Sequence, residues 1–289
     1  MLDSDQFVNI IEAVIQASLK TMEYYQNDNL KVEIKSDQSP VTLADKAAND
    51  ILIKALTKIT PNIPIITEES PVFEYDKRKG FATFWLVDPL DGTKEFIKGG
   101  DDFTVNVGLI HNNIPVFGVV SVPVLSQLYY GSTFSIGESK IPIGSYTTNY
   151  KNGFRLGGCI AIRCTEPDLG STLRVITSRS HMNQETMEFL DTLPDPKTLV
   201  SLGSSLKIIA IASNEADLYP RIGLTSEWDT AAAHAILNAA GGELRKLTRG
   251  NVVDEYYSEP FCYNKSCLLN PYFICGHSKL LDAFAPKER

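Results

Sequence analysis

The sequence predicts a mixed fold, α+β in its first half and α/β in its second, and three observations predict it. Two helical patterns open the chain, consecutive strand patterns with short connections follow, and beyond about residue 173 strands alternate with helices. The first helix is expected over 5–25, where Phe7, Ile10, Ile11, Val14, Ile15, Ser18, Leu19, Met22 and Tyr25 fall on one stripe. A turn at Lys35–Pro40 leads to a second helix from about Thr42 to Ile59. Pro61 and Pro64 then bound a short extended segment, Ile63 to Thr67, that runs into Glu68-Glu69.

Strands are expected at Phe81–Val87, Phe103–Ile110, Val116–Val122 and Gln127–Gly131, forming an antiparallel sheet covered on one face by the two helices. Residues 136–172, rich in Gly, Ser, Thr and Asn, read as irregular or edge structure. Beyond them come strand Leu173–Thr177, helix Asn183–Leu193, strand Thr198–Leu202 and helix Ser205–Ser213. A strand at Ala216–Tyr219 and a helix at Asp229–Ala240, stopped by Gly241-Gly242, complete the alternation. The expected organisation is therefore an N-terminal half over 1–135, a connecting segment over 136–172 and a C-terminal half over 173–289. A cleft between the halves is the natural ligand site.

Composition narrows the function. With 27 Lys and Arg against 35 Asp and Glu, the net charge is −8, which argues against nonspecific binding to nucleic acid or anionic membrane. No stretch approaches the ~20 apolar residues of a membrane span. The opening Met1-Leu2-Asp3-Ser4-Asp5 lacks a basic segment ahead of an apolar run, so no secretory signal and a cytoplasmic location are expected. Cys159, Cys164, Cys262, Cys267 and Cys275 are odd in number and lack CxxC spacing, the pattern of reduced thiols.

The segment with most chemistry is Trp85-Leu86-Val87-Asp88-Pro89-Leu90-Asp91-Gly92-Thr93, an apolar strand expected to end in two carboxylates. Pro89 restricts Asp88 to extended backbone, and Gly92 permits close approach of a ligand. Asp88, Asp91 and the Leu90 carbonyl offer only hard oxygens, which suit Mg²⁺ better than zinc. A helix beginning at Thr93 would present N–H groups to a phosphate. Each acid also has a structural reading. Asp88 and Asp91 fit a turn and a helix cap, Glu68-Glu69 a solvated loop, Asp229 an N-cap and Asp45 a first-turn acid. What sets them apart is that all fall where elements end, where backbone converges on a cleft.

Glu68-Glu69-Ser70, Asp88-Pro89-Leu90-Asp91-Gly92-Thr93 and Trp228-Asp229-Thr230-Ala231-Ala232 resemble, in order and separation, the signatures of the inositol monophosphatase superfamily of lithium-sensitive, magnesium-dependent phosphatases. Further blocks resemble its bacterial 3′(2′),5′-bisphosphate nucleotidase branch. They are Lys35 to Asp45, Lys94-Glu95-Phe96-Ile97-Lys98, Ser178-Arg179-Ser180-His181, Gly203-Ser204-Ser205-Leu206-Lys207 and Leu218-Tyr219-Pro220-Arg221. The resemblance implies a layered αβαβα sandwich of the inositol monophosphatase and sugar phosphatase type. It implies that Glu68, Asp88, Asp91, Asp229 and the Leu90 carbonyl bind Mg²⁺, as two or three ions. It makes Asp45 and Thr93 the catalytic pair that orients and deprotonates the attacking water. It places the substrate against Glu68, Leu90, Asp91, Gly92, Thr93 and Asp229, with His181, Ser204, Lys207 and Arg221 holding the nucleoside and its second phosphate.

The implied reaction is hydrolysis of adenosine 3′,5′-bisphosphate to AMP and phosphate, with the sulfated relative as a second substrate, a step of sulfur metabolism. A loose association with the inner membrane is a further expectation, and the oligomeric state stays open. The alternatives are a phosphatase of the same superfamily acting on inositol phosphates, a sugar bisphosphate or NADP, and a catalytically silent nucleotide-binding protein.

Overall fold

A computed structural model describes residues 2–27, 32–35, 40–137, 141, 143–168, 170–179, 182–249 and 256–282. Helices α1 (Ser4–Met22) and α2 (Leu43–Ile59) each start from a capping box, Asp3 with Gln6 and Thr42 with Asp45. A hairpin of β1 (Val32–Ile34) and β2 (Pro40–Thr42) precedes α2. The first large sheet then runs in chain order through β3 (Ile65–Thr67), β4 (Thr83–Asp91), β5 (Thr104–His111), β6 (Ile114–Val122), β7 (Gln127–Ser132), β8 (Gly144–Asn149) and β9 (Ile160–Ile162). Within it β3 and β4 are parallel, and the other neighbours pair antiparallel. Short helices α3 (Tyr75–Arg78) and α4 (Thr93–Ile97) flank β4.

The continuous apolar run of β4 is explained by burial on both faces. Trp85 and Val87 join Phe7, Ile10 and Leu52 beneath α1 and α2, while Phe84 and Leu86 join the core on the opposite side. That second core belongs to α6 (Leu206–Ala212) and α7 (Glu227–Ala239), which lie between the first sheet and another. The second sheet comprises β10 (Leu173–Ser178), β11 (Lys197–Leu202), β12 (Leu218–Arg221), β13 (Gly242–Arg249), β14 (Tyr256–Pro260) and β15 (Phe273–His277), in the order β11-β10-β12-β15-β13-β14. β11 and β12 both run parallel to β10, and β15 is antiparallel to β12. On its outer face α5 (Gln184–Asp191) and α8 (Ser278–Leu281) pack Phe189, Leu190 and Leu281 over Val175, Leu218 and Ile274. The layers are thus αβαβα.

Several boundaries differ from expectation. β4 does not end at Asp88; it continues to Asp91 through a register shift against β5 between those two acids. The stretch read as irregular or edge structure supplies β8, which is paired on both sides, and the edge strand β9. The strands after Gly242 were not anticipated, because β13 (Gly242–Arg249) carries polar and charged residues that hide a strand period. Asp229 is not the first residue of its helix: Ser226 is the cap of α7 and Asp229 its third residue. All five cysteines are free, as expected. No described helix is long and apolar enough to cross a membrane.

α7 sits directly on the first sheet because two strand positions lack side chains. A Cβ on Gly108 would lie 2.8 Å from the Ala232 nitrogen, and one on Gly118 would lie 2.1 Å from the Ala232 oxygen. Gly118→Ala should therefore destabilise the protein by about 1–3 kcal/mol through overpacking. Gly80→Ala, whose Cβ would meet nothing within 4 Å, should stay within about 0.5 kcal/mol of wild type. Urea midpoints of the two variants measure the difference; equal midpoints would show that the helix is free to move away.

Candidate metal centre and active site

Parallel strand ends deliver the first acids. Glu68 follows β3, and its N–H donates to the Val87 carbonyl at 3.2 Å, extending the pairing with β4. At the bulge of β4 the Leu90 N–H donates to Asp88 Oδ1 at 3.1 Å, turning the chain so that Asp88 and Asp91 come to one side. Gly92 then adopts a φ of +93°, and a Cβ there would lie 2.3 Å from Ser204 Oγ and 2.9 Å from the Asp102 carbonyl. Only glycine fits on both counts. From the other side α7 brings Asp229, whose Oδ2 accepts from the Ser226 N–H at 2.8 Å.

That helix start is pinned from below. Asn270 Nδ2 donates to the Ser226 carbonyl at 2.6 Å, and the fully buried Glu227 carboxylate accepts from Asn264 N at 2.8 Å and Lys265 Nζ at 2.6 Å. Sequence reasoning missed this support, because the partners lie some 40 residues apart with no local signature.

Oxygens of Glu68, Asp88 and Asp229 lie within 4.8 Å of one another. Asp91 stands beside this trio, its Oδ2 accepting from Ser205 Oγ at 3.1 Å. Burial, and then the charges of Glu68, Asp91 and Asp229, push the Asp88 carboxyl well above the usual range. Burial and then Asp91 do the same to Asp229. Glu68 is also raised by burial, although the Lys35 ammonium pairs with it at 2.8 Å and with Glu69 at 2.5 Å. Asp91 is raised by burial, with Lys207 and Ser205 opposing. Carboxylates that raise one another in this way need a countercharge to ionise together. An all-oxygen donor set fits Mg²⁺.

The expected water-activating pair is assembled. Thr93 Oγ1 lies 3.1 Å from Asp45 Oδ1 and 3.2 Å from the Leu90 carbonyl, donating to either. Asp45 Oδ2 is held by Thr42 N at 2.8 Å and Thr42 Oγ1 at 2.6 Å. Asp45 and Asp229 are thus both third residues of capping boxes. One oxygen of each closes the cap, so the cap leaves the other oxygen available to the cleft.

The second half meets this centre with the carboxyl ends of its parallel strands, the edge of an α/β sheet where ligands bind. Ser178 ends β10, Gly203–Ser205 follow β11 and Arg221 ends β12. These residues line a cleft of about 220 Å³ together with Glu68, Asp91, Gly92, Thr93, Lys207 and Asp229. Lys207 is buried, and burial first, then the Arg221 charge, brings its ammonium down to about 8 despite Asp91. It lies 6.0 Å from the centre of the Tyr219 ring. Arg221 donates one Nη2 bond to the Leu224 carbonyl at 3.0 Å, and its buried Nε has no partner.

Ser204 reaches the cleft, but its hydroxyl is occupied by the carbonyls of Asp91 at 2.9 Å and Asp102 at 2.7 Å. His181 and Ser36–Ser39 lie outside the described residues. Ser205 appeared in the sequence only as part of a block, yet its hydroxyl joins Asp91 Oδ2 to the Asp229 carbonyl, at 2.9 Å from the latter.

The raised carboxyls carry a stability consequence. Without metal, burial and neighbouring charge make Asp88 and Asp229 hold a proton more tightly in the folded chain than in the unfolded one, whose aspartates ionise at about pH 4. Their contribution is present below that value and lost as pH rises through the folded-state values. Thermal unfolding in EDTA should show Tm falling as pH rises above about 4 in wild type, and falling less in Asp88→Asn. Mg²⁺ should restore the wild-type Tm at the upper end. Parallel pH profiles for the two proteins would refute the coupling.

A family model described as the inositol monophosphatase family matches residues 3–287. The chain is similar to the 3′(2′),5′-bisphosphate nucleotidase CysQ of Salmonella typhimurium, at 40% identity over 267 residues, covering 92% of this chain and 94% of that protein. It is similar also to the protein of the same name from Haemophilus influenzae, at 32% identity over 286 residues, covering 96% of each. Among solved structures, CysQ from Bacteroides thetaiotaomicron superposes with a TM-score of 0.77 at 35% identity, covering 95% of this chain and 97% of that one. The inositol monophosphatase of Anabaena (Nostoc) sp. PCC 7120 superposes at 0.69 with 20% identity, covering 97% and 94%, a likeness of fold alone.

Proposed function

Since the chain belongs to the inositol monophosphatase family and is a Mg²⁺-dependent phosphatase of that family, we propose that it removes the 3′-phosphate of adenosine 3′,5′-bisphosphate. The products are AMP and inorganic phosphate, and the sulfated relative of the nucleotide is a second substrate. The observation that carries this reading is the pair of poorly compensated cations facing the carboxylates across one cleft. Lys207 is buried with a weakened hold on its proton, and Arg221 keeps an unpartnered buried Nε. A substrate with one phosphate at the metals and another anionic group beyond them satisfies both ends. The relatives named as bisphosphate nucleotidases support the same choice.

In this reading the residues divide the work as follows. Glu68, Asp88, Asp91, Asp229 and the Leu90 carbonyl hold Mg²⁺, in two or three sites. When bound there, Mg²⁺ supplies the charge that polarises the phosphate and acidifies water. Thr93 Oγ1, held by Asp45 Oδ1, is placed to orient the attacking water, and Asp45 is placed to take its proton. The N–H groups at Gly92 and Thr93 cradle the reacting phosphate, and Ser204, Lys207, Arg221 and His181 serve the nucleoside and its 5′-phosphate. Li⁺ in place of one Mg²⁺ would inhibit. The enzyme would clear a by-product of sulfuryl transfer.

A phosphate-release panel tests the substrate. Wild type with Mg²⁺ should give a higher kcat/KM for adenosine 3′,5′-bisphosphate than for inositol 1-phosphate or fructose 1,6-bisphosphate, and Asp91→Asn should fall to background. A higher value for inositol 1-phosphate would overturn the assignment. Equal, metal-independent background in both proteins would favour a silent nucleotide-binding protein.

A further inference from the structure

We propose that Asp102 is a positioning residue that sets substrate specificity, by fixing the cation-bearing turn of the second half in register with the metal-bearing turn of the first. This inference rests on the nucleotidase reading above and deepens it. Asp102 stands just before β5, whose Thr104 pairs with Asp91 across the sheet. Its backbone is pressed against Gly92: a Cβ there would lie 2.9 Å from the Asp102 carbonyl and 3.3 Å from the Phe103 Cα. Asp102 is therefore bound rigidly to the metal half.

Its carboxylate and its carbonyl both bind the second half. Oδ2 accepts from the Gly203 N–H at 2.8 Å and from Arg179 Nη1 at 2.8 Å. The Asp102 carbonyl accepts from Ser204 Oγ at 2.7 Å. The approach is close enough that a Cβ on Gly203 would lie 2.6 Å from the Asp102 Cβ. Arg179 in turn ties the strand ends together, its N–H donating to the Leu202 carbonyl at 3.1 Å and its Nη2 to the Ser201 carbonyl at 3.2 Å. One buried carboxylate thus holds the ends of β10 and β11 against the turn that carries Asp91, Gly92 and Thr93.

The turn it holds begins the segment that carries Ser205 and Lys207. Ser205 also bonds directly to Asp91 and to the Asp229 carbonyl, so the metal side of the turn has its own anchor. Removing the Asp102 carboxylate therefore loosens the far side of the cleft, where the non-reacting phosphate binds, more than the near side. Misplacement of such a group by an ångström is enough to lower binding of the part it holds.

Adenosine 3′,5′-bisphosphate and adenosine 3′-monophosphate differ only in that non-reacting phosphate, so steady-state kinetics on the pair separate the two sides. Asp102→Ala should raise KM for the bisphosphate about tenfold, with kcat within about threefold, and leave kcat/KM for the monophosphate within about threefold. Asp102→Asn, which keeps an oxygen for the Gly203 N–H but loses the charge facing Arg179, should fall between wild type and Asp102→Ala. Half-saturating Mg²⁺ should be unchanged in both variants. Equal losses on the two substrates, or none, would overturn the positioning role while leaving the nucleotidase reading intact. A wild type that does not prefer the bisphosphate would instead overturn that reading, and the specificity role with it.

Discussion

The crowding of Glu68, Asp88, Asp91 and Asp229 into one desolvated site is the constraint on which the rest of the structure depends. Asp88 is buried and the other three are half-buried; desolvation first, and then the charges of Glu68, Asp91 and Asp229, raise the proton affinity of Asp88, as desolvation and then Asp91 raise that of Asp229. Such a cluster forms only if the backbone imposes it. The ends of β3 and β4 impose it from one side, the α7 cap from the other, and Ser205 bridges Asp91 to Asp229. The Glu227, Asn264, Lys265 and Asn270 network then fixes the start of α7 that carries Asp229. A divalent cation bound there would supply the charge that lets the acids ionise together.

The two halves use one architectural rule. β3 and β4 are the parallel pair of a sheet that is otherwise antiparallel, and their carboxyl ends carry Glu68 and Asp88. β10, β11 and β12 are parallel in the second sheet, and their carboxyl ends carry Ser178, Gly203 and Arg221. Both sets open on the same cleft, one with acids and one with cations. The cleft is therefore divided by charge, acids on one side and cations on the other.

Much of this was legible in the chain. The apolar stripe of α1, the run entering Asp88-Pro89-Leu90-Asp91-Gly92-Thr93 and the small residues after Asp229 all showed in local pattern, because local backbone chemistry produces them. The bulge that keeps β4 running to Asp91 was not legible, since it depends on the partner register of β5. Nor was the α7 cap at Ser226, because Trp228-Asp229 looks like a helix start until Ser226 is seen to close a box with Asp229. Asp102 and Glu227 escaped for another reason. Their partners lie about a hundred and about 40 residues away, so no window along the chain contains them together. The polar strands β8 and β13 were missed because partner strands, rather than their own hydrophobic alternation, fix them.

Calorimetric titration with Mg²⁺ at about pH 6, repeated in two buffers of different ionisation enthalpy, tests the central claim most directly. If burial and neighbouring charge make Asp88 and Asp229 hold their protons until a cation arrives, Mg²⁺ binding will be saturable and its heat will differ between buffers, reporting released protons. Saturable binding with the same heat in both buffers, or no saturable binding, would contradict the account.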